Sequence, residues 1–189
     1  KDEEKKISGR KKLYSIVEMA NNFFMNNLLS DNRALGYLNE RGINKEVILE
    51  YKIGYAKDSF SSLHEYLLDK GILNEDILLA GLIIKSEKKK NSYYDRYRDR
   101  IIFPITNTYG KIVGFGGRVI NEDDKPKYMN SPETEIFHKG NLLYNYSNIK
   151  SPVKQIDDLV VVEGYMDAIS LCSQGFKNVV APLGTAMTE

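Results

Sequence analysis

Apolar residues between Leu13 and Leu28 (Leu13, Ile16, Val17, Ala20, Phe23, Phe24 and Leu28) recur three and four positions apart, the spacing of an amphipathic helix with one face on a core. Asp31 is placed to cap a second helix that carries Leu35 and Leu38 and stops at Gly42, and Asn44 to cap a third with Val47, Ile48 and Tyr51. Ser62, followed three residues on by Glu65, reads as a capping box ahead of Tyr66, Leu67 and Leu68, with Gly71 as terminator. Another short helix is predicted from about Asn74 to Ala80, ending at Gly81.

After about Tyr93 the pattern changes to that of strands. Ile101 to Ile105 and Lys111 to Ile120 are β-rich runs joined by the turn-prone TNTYG, the arrangement of a hairpin. Pro104 predicts an edge position or a bulge in the first run. Gly114, Gly116 and Gly117 sit inside the second run and open no helix, which excludes a dinucleotide fingerprint; they are read as strand glycines that permit a bend or a close backbone approach. NEDDKPK is a loop, and no internal repeat is visible. The last segment reads as a buried strand (Leu159 to Val162), a tight turn at Glu163 and Gly164, a helix with Met166, Ile169, Ser170 and Cys172 at periodic positions, a stop at Gly175, and a second strand from Val179 to Ala181. This is one βαβ unit of a parallel sheet. A parallel sheet buried on both faces needs more than two strands, so the companion strands are expected outside the sequence, beyond Glu189.

The chain has 189 residues, enough for one domain or for one domain and part of another. Its 42% apolar and 28% charged residues exclude a wholly disordered or fibrous chain. No run approaches the roughly 18 apolar residues of a membrane-spanning helix, and the opening KDEEKKISGRKK lacks the apolar core of a signal peptide. Cys172 is the single cysteine, which permits no internal disulfide, and His64 and His138 cannot complete a zinc site by themselves. A reducing, cytoplasmic setting fits. The net charge of +1 conceals an asymmetry: between residues 88 and 118, Lys88, Lys89, Lys90, Arg96, Arg98, Arg100, Lys111 and Arg118 face only Asp95 and Asp99, a net +6 that leaves −5 for the remainder. Such a segment is a local anion-binding surface, or, as the plainer alternative that suits Lys88 to Lys90 best, a solvated charge run.

Glu163 ends a strand of three valines, where an open α/β sheet places its ligand crevice and where the following helix directs its N–H groups. A carboxylate there serves as a cation ligand or a proton acceptor, or is simply a favourable acid in a first helical turn. Asp167, four residues on, lies one turn further along. His138 is read as structural or incidental and His64 as a surface residue. Cys172 is read as a small buried apolar residue, and Ser131 with Pro132 as a turn.

VVVEGYMDAISL followed by VVAPLGTAMT resembles the first half of a Toprim domain, and YYDRYRDRIIFPI, GKIVGFGGRVI and KYMNSPETEIFHKGNLLYN are similar to bacterial DnaG-type primases, as are YLNERGI and YKIGYA upstream. The resemblance runs in order from roughly Leu13 to the last residue. It implies an α/β (α+β) fold in two parts. Residues 1–156 form a mixed N-terminal subdomain of short helices plus a β-hairpin-rich sheet that binds template and nucleotide, and residues 157–189 the first βαβ unit of a Toprim fold. The implied activity is synthesis of short RNA primers on single-stranded DNA from ribonucleoside triphosphates, with Mg²⁺ or Mn²⁺. The family's zinc-binding N-terminal domain and its C-terminal domain, through which the replicative helicase is bound, are expected outside this sequence.

Under the resemblance Glu163 is a catalytic acid and part of the metal site, with Asp167 beside it. The family's remaining acids, a DxD pair and a further acidic motif, lie downstream, so this chain alone is expected to be inactive. Lys127, Tyr128 and Asn130 of KYMNSPET, Lys139 of FHKG, and Arg96, Arg98 and Arg118 are the implied nucleic-acid or nucleotide contacts. The chemistry agrees, because phosphoryl transfer needs metal-clamping carboxylates and phosphate-holding cations in one place. Arg96 and Arg98 alternate with Tyr94 and Tyr97, which interleaves guanidinium forks with rings on which bases stack. Exposed edge-strand charge is the alternative for these arginines. The reading requires the groups around Arg98, Lys127 and Lys139 to face the same mouth as Glu163. Two other functions stay open: a different Toprim enzyme such as a topoisomerase or nuclease, and a nucleic-acid-binding module without turnover.

Overall fold

The structure, a computed structural model, describes residues 2–90, 92–149 and 158–184, with side chains from residue 7 onward. Helix α1 (Asp2–Leu29) begins well before Leu13, and Leu13, Ile16, Val17, Ala20, Phe24 and Leu28 form its buried stripe. Asp31 and Asn44 cap α2 (Asn32–Asn39) and α3 (Lys45–Glu50) as expected, accepting from the N–H groups of Ala34 at 2.9 Å and Val47 at 3.0 Å. Strand β1 (Gly54–Ala56) then passes directly beneath α1. A Cβ on Gly54 would stand 2.4 Å from the Cβ of Phe24 and 2.8 Å from its carbonyl carbon, so only glycine allows helix and strand this approach.

The expected capping box at Ser62 is not what starts α4 (Ser62–Asp69). Ser61 occupies the cap position without a side-chain cap bond, and its hydroxyl bonds Glu65 instead. The helix's orphan amides are met from far along the chain: Asp95 accepts from Leu63 N at 2.8 Å and His64 N at 2.9 Å. Local spacing proposed a cap that a buried carboxylate supplies from another element. His64, expected on the surface, is half-buried and bonds Asn74 at the start of α5 (Asn74–Leu79).

Strands β2 (Ile83–Lys85) and β3 (Tyr93–Asp95) form a small antiparallel hairpin. The larger sheet adds β4 (Arg100–Thr106), β5 (Ile112–Val119) and β6 (Tyr128–Asn130) to β1 in the antiparallel order β1-β4-β5-β6. Of the edge position or bulge expected at Pro104, the second is present: β4 is an interior strand with an irregularity next to the proline. Its pairing with β1 nevertheless stops at Ile102, so Pro104 meets only Phe115 across the ladder, and the register shifts just beyond it between Ile105 and Thr106.

Strand β7 (Leu143–Tyr144) leads to β8 (Val160–Val161), α6 (Tyr165–Ser173) and β9 (Val179–Pro182). The predicted parallel β8–α6–β9 unit is present, with Val160 opposite Val179. Two expectations about it fail. β7 already supplies one companion strand, pairing antiparallel with β9, so the sheet β7-β9-β8 is mixed. And β8 is not buried, because it is an edge strand among the described residues: Leu159, Val160 and Val161 are 41%, 39% and 43% exposed. β9, flanked on both sides, takes the buried place, with Val179, Val180 and Ala181 fully enclosed.

Candidate functional site

The site is built on the period-two alternation of β5 and β6. Gly116 pairs with Asn130 and Arg118 with Tyr128, so these four residues share one face, while Phe115 and Gly117 turn to the other. On that other face Phe115 meets Phe24 and Tyr97, closing the N-terminal core. On the first face the vacancy at Gly116 admits the ring of Tyr165: a Cβ there would lie 2.3 Å from Cε2. The expected close approach at the strand glycines is thus present, and it is made by the first residue of α6.

Asn130 ties this face to both strand ends of the smaller sheet. Its carbonyl accepts from Arg96 Nε at 3.3 Å and Nη2 at 3.1 Å. Its side chain donates to Leu183 O at 2.8 Å and accepts from the Tyr165 hydroxyl. Arg118 donates to two phenols, Tyr37 of α2 and Tyr128. Burial works against the Arg118 charge, but the two phenol oxygens hold the guanidinium above its ordinary value. Burial pushes Tyr128 up, Arg118 opposes the shift, and the carboxylate of Asp167 adds to it.

Glu163 follows β8 and is exposed, and Asp167 is exposed on the first turn of α6. The Asp167 carboxylate folds back over the turn: a Cβ on Gly164 would lie 3.1 Å from Asp167 Oδ2 and 3.8 Å from Tyr128 Oη. Any side chain at 164 would crowd that carboxylate. At the end of the adjacent strand, Lys139 Nζ lies 3.8 Å from the same construction on Gly184. Lys139 therefore reaches the carboxyl end of β9, next to the strand end that carries Glu163.

Three groups of predicted residues are thus brought together: Arg96 with Asn130, Arg118 with Tyr128 and Asp167, and Lys139 with the loop after β9. Glu163, Arg98 and Lys127 are not joined to these groups by any hydrogen bond or ion pair among the described residues. Arg98 packs over Phe60 at 4.7 Å and Tyr94 at 5.3 Å and donates to the Asp95 carbonyl, while Lys127 stands exposed ahead of β6. Ser131, expected in a turn, is buried, accepting from Phe115 N at 2.9 Å and lying 3.1 Å from the Tyr97 hydroxyl. Cys172, expected to be buried, is half-buried, packs against the core and lies 3.3 Å from Asn145 Nδ2. His138 pairs with Glu133 at the surface.

Sequence reasoning missed Tyr37, Arg41 and Tyr165. Arg41 stacks over the Tyr37 ring at 3.8 Å while Arg118 bonds its hydroxyl, so one buried phenol organises two guanidinium groups. The available signal was the buried tyrosine itself, whose hydroxyl must find a partner.

The two acids of the basic segment are committed elsewhere. Asp95 caps α4, and Asp99 accepts from Arg33 of α2 and from Tyr55 at 2.7 Å. Among the described residues Arg96, Arg98, Arg100 and Arg118 form no ion pair; their partners are carbonyl and phenol oxygens, including Pro126 O for Arg100 at 2.8 Å. The same residues contain no group of three His, Cys, Asp or Glu side chains able to hold a metal, and no helix long and apolar enough to cross a membrane.

A Toprim family model matches residues 157–189, the stretch that holds the parallel β8–α6–β9 unit and its acidic turn. Residues 23–150 match the family described as the DNA primase catalytic core, N-terminal domain, and the chain belongs to that family. It is 45% identical to a DNA primase of Clostridium acetobutylicum over 94% of this chain and 29% of that protein, and 43% identical to one of Deinococcus radiodurans over 93% and 30%. The chain thus spans less than a third of these relatives. Among solved structures, the RNA polymerase domain of Mycobacterium tuberculosis primase DnaG, in complex with a double-stranded DNA oligomer with a 6-nucleotide overhang, aligns with a TM-score of 0.87 at 31% identity, over 95% of this chain and 56% of that one. A DnaG primase catalytic domain bound to single-stranded DNA aligns at 0.84 and 37% identity, over 96% and 58%.

Proposed function

We propose that this chain is the part of a primase catalytic core that holds single-stranded template DNA and contributes Glu163 and Asp167 to the centre where ribonucleoside triphosphates are joined. The observation that carries the reading is the charge of Arg96 and Arg98, which form no ion pair among the described residues while the neighbouring acids Asp95 and Asp99 are bound to α4 and α2. Guanidinium groups braced by carbonyls and phenols keep their charge available to phosphates. Arg98 with Phe60, which is 65% exposed, and Tyr94 forms a cationic, aromatic surface for unstacked bases. The relatives solved with DNA support the same reading.

The domain division read here is residues 1–156 for gripping template and nucleotide and residues 157–189 for the Toprim acids, with the sheet joined across that division by β7. Glu163 and Asp167 fit a divalent cation as hard oxygen donors on an open turn, and suit Mg²⁺ and Mn²⁺ alike. Such an ion, when bound, neutralises charge developing on the phosphates. The resemblance implies further acids in the complete centre, so the chain by itself is expected to bind DNA without making primers. Lys139, at the neighbouring strand end, is placed to hold a triphosphate, and Lys127 to meet the nucleic-acid backbone. The setting proposed for this activity is the cytoplasm, at the replisome.

Fluorescence anisotropy of a labelled single strand titrated with this chain tests the reading. Affinity should fall steeply with salt, and Lys127→Ala, which removes an exposed side chain, should reduce the log–log salt slope by about 0.7 while leaving the melting temperature unchanged. Salt-independent binding would overturn the proposal. In a complete core containing this sequence, Glu163→Gln should abolish primer synthesis with Mg²⁺ and with Mn²⁺ while single-strand binding persists.

A further inference from the structure

Tyr165 is 4% exposed and therefore unavailable to substrate, yet it sits two residues beyond Glu163. Its ring fills the space left by Gly116 and packs against Tyr144, Phe103 and Tyr128, with centroids 4.7, 5.6 and 5.9 Å away. Such packing already fixes the ring. The hydroxyl adds something separate, because it is spent on Asn130, whose amide simultaneously holds Leu183 O at 2.8 Å. The amide's orientation follows from its partners. A carbonyl oxygen can only accept, so Nδ2 must point at Leu183, which leaves Oδ1 for the proton of the Tyr165 hydroxyl. One amide thus joins the turn after β8 to the loop after β9, and its own backbone is anchored by Arg96.

We infer that Tyr165 and Asn130 are positioning residues for the Toprim turn: their side-chain bridge sets the spacing between the strand end carrying Glu163 and the strand end reached by Lys139. The inference rests on the reading of Glu163 proposed above. Carboxylate and cation stand on different segments, Glu163 after β8 and Lys139 in the turn ahead of β7. Without the bridge the helix start keeps its packing but gains freedom to slide relative to Leu183. Misplacement of this kind lowers the rate of the chemical step more than it weakens ground-state binding.

The test is Tyr165→Phe, which deletes one oxygen and keeps the ring. In a complete core containing this sequence, primer synthesis should show kcat lowered about tenfold, with KM for nucleotide and single-strand affinity within about twofold of wild type. Asn130→Ala should lower kcat at least as far, and adding Tyr165→Phe to it should cost nothing more, since both remove the same bridge. In this chain alone, hydrogen exchange of the amides from Glu163 to Ala168 should quicken in Tyr165→Phe while β4 and β5 stay protected. Unchanged exchange overturns the bridge whatever the activity. Quickened exchange with wild-type kcat, multiplicative losses in the double variant, or a change confined to KM overturns the positioning role. Glu163→Gln in the same assay separates the two ideas: full synthesis by that variant removes the proposed role of Glu163, and exchange still decides the bridge.

Discussion

Gly116→Ala places one methyl group where the two sheets meet. The new carbon would stand 2.3 Å from Cε2, 2.8 Å from Cζ and 3.0 Å from the hydroxyl oxygen of Tyr165. Carbon atoms settle at roughly 3.5–4 Å, so the ring must retreat by more than about 1 Å. Phe103, Tyr128 and Tyr144 surround it, and the hydroxyl is tethered to Asn130. Overpacking of a site this enclosed costs about 1–3 kcal/mol, and losing the tether adds about 1 kcal/mol. The expected loss is therefore about 2–4 kcal/mol, read as a lower urea midpoint at unchanged slope for the isolated chain. Gly36→Ala is the control. It lies inside α2 with nothing within 4 Å of an added Cβ, and alanine there should gain about 0.5–1 kcal/mol. The reasoning is refuted if Gly116→Ala unfolds within about 0.5 kcal/mol of wild type, or if Gly36→Ala is destabilised as much.

Asp95→Asn keeps one acceptor but turns an N–H₂ toward a backbone N–H, so α4 loses one of its two long-range cap bonds; thermal melts should show a loss of about 1–2 kcal/mol. Ser61→Ala, which breaks only a surface bond to Glu65, should cost less than about 0.5 kcal/mol, and equal losses would show the cap to be local after all. Burial pushes the Tyr97 phenol up to about 12. Because the unfolded phenol ionises near pH 10, the stability linked to Tyr97 is complete below about pH 10 and is lost as pH rises through about 12, some 2–3 kcal/mol in all. Urea midpoints measured across that window should fall, and Tyr97→Phe should flatten the decline; the same slope in both proteins would contradict the assignment.

Much of the fold was legible because its determinants are neighbours in the chain. The stripe from Leu13 to Leu28, the caps Asp31 and Asn44, and the strand–turn–helix around Glu163 each need only residues a few positions apart, and each is observed. The errors share one cause. Ser62 and Glu65 satisfy a local pattern that Asp95 outcompetes from β3, and the three valines read as a buried strand although β8 lies at the sheet edge among the described residues, with β9 in the enclosed place. At Pro104 the sequence allows an edge or a bulge, and only the lengths of β1 and β5 decide between them.

By itself the sequence determined the helices, the hairpin, the β–α–β order and the acid that ends the first strand, since periodicity and capping act within one or two turns of chain. Tertiary structure alone decided which neighbours these groups meet. That Arg118 donates to two phenols and that Asn130 accepts from Tyr165 depends on the register of β5 against β6 and on the gap at Gly116. Those are relations between segments far apart in sequence, and only packing brings them within hydrogen-bond reach.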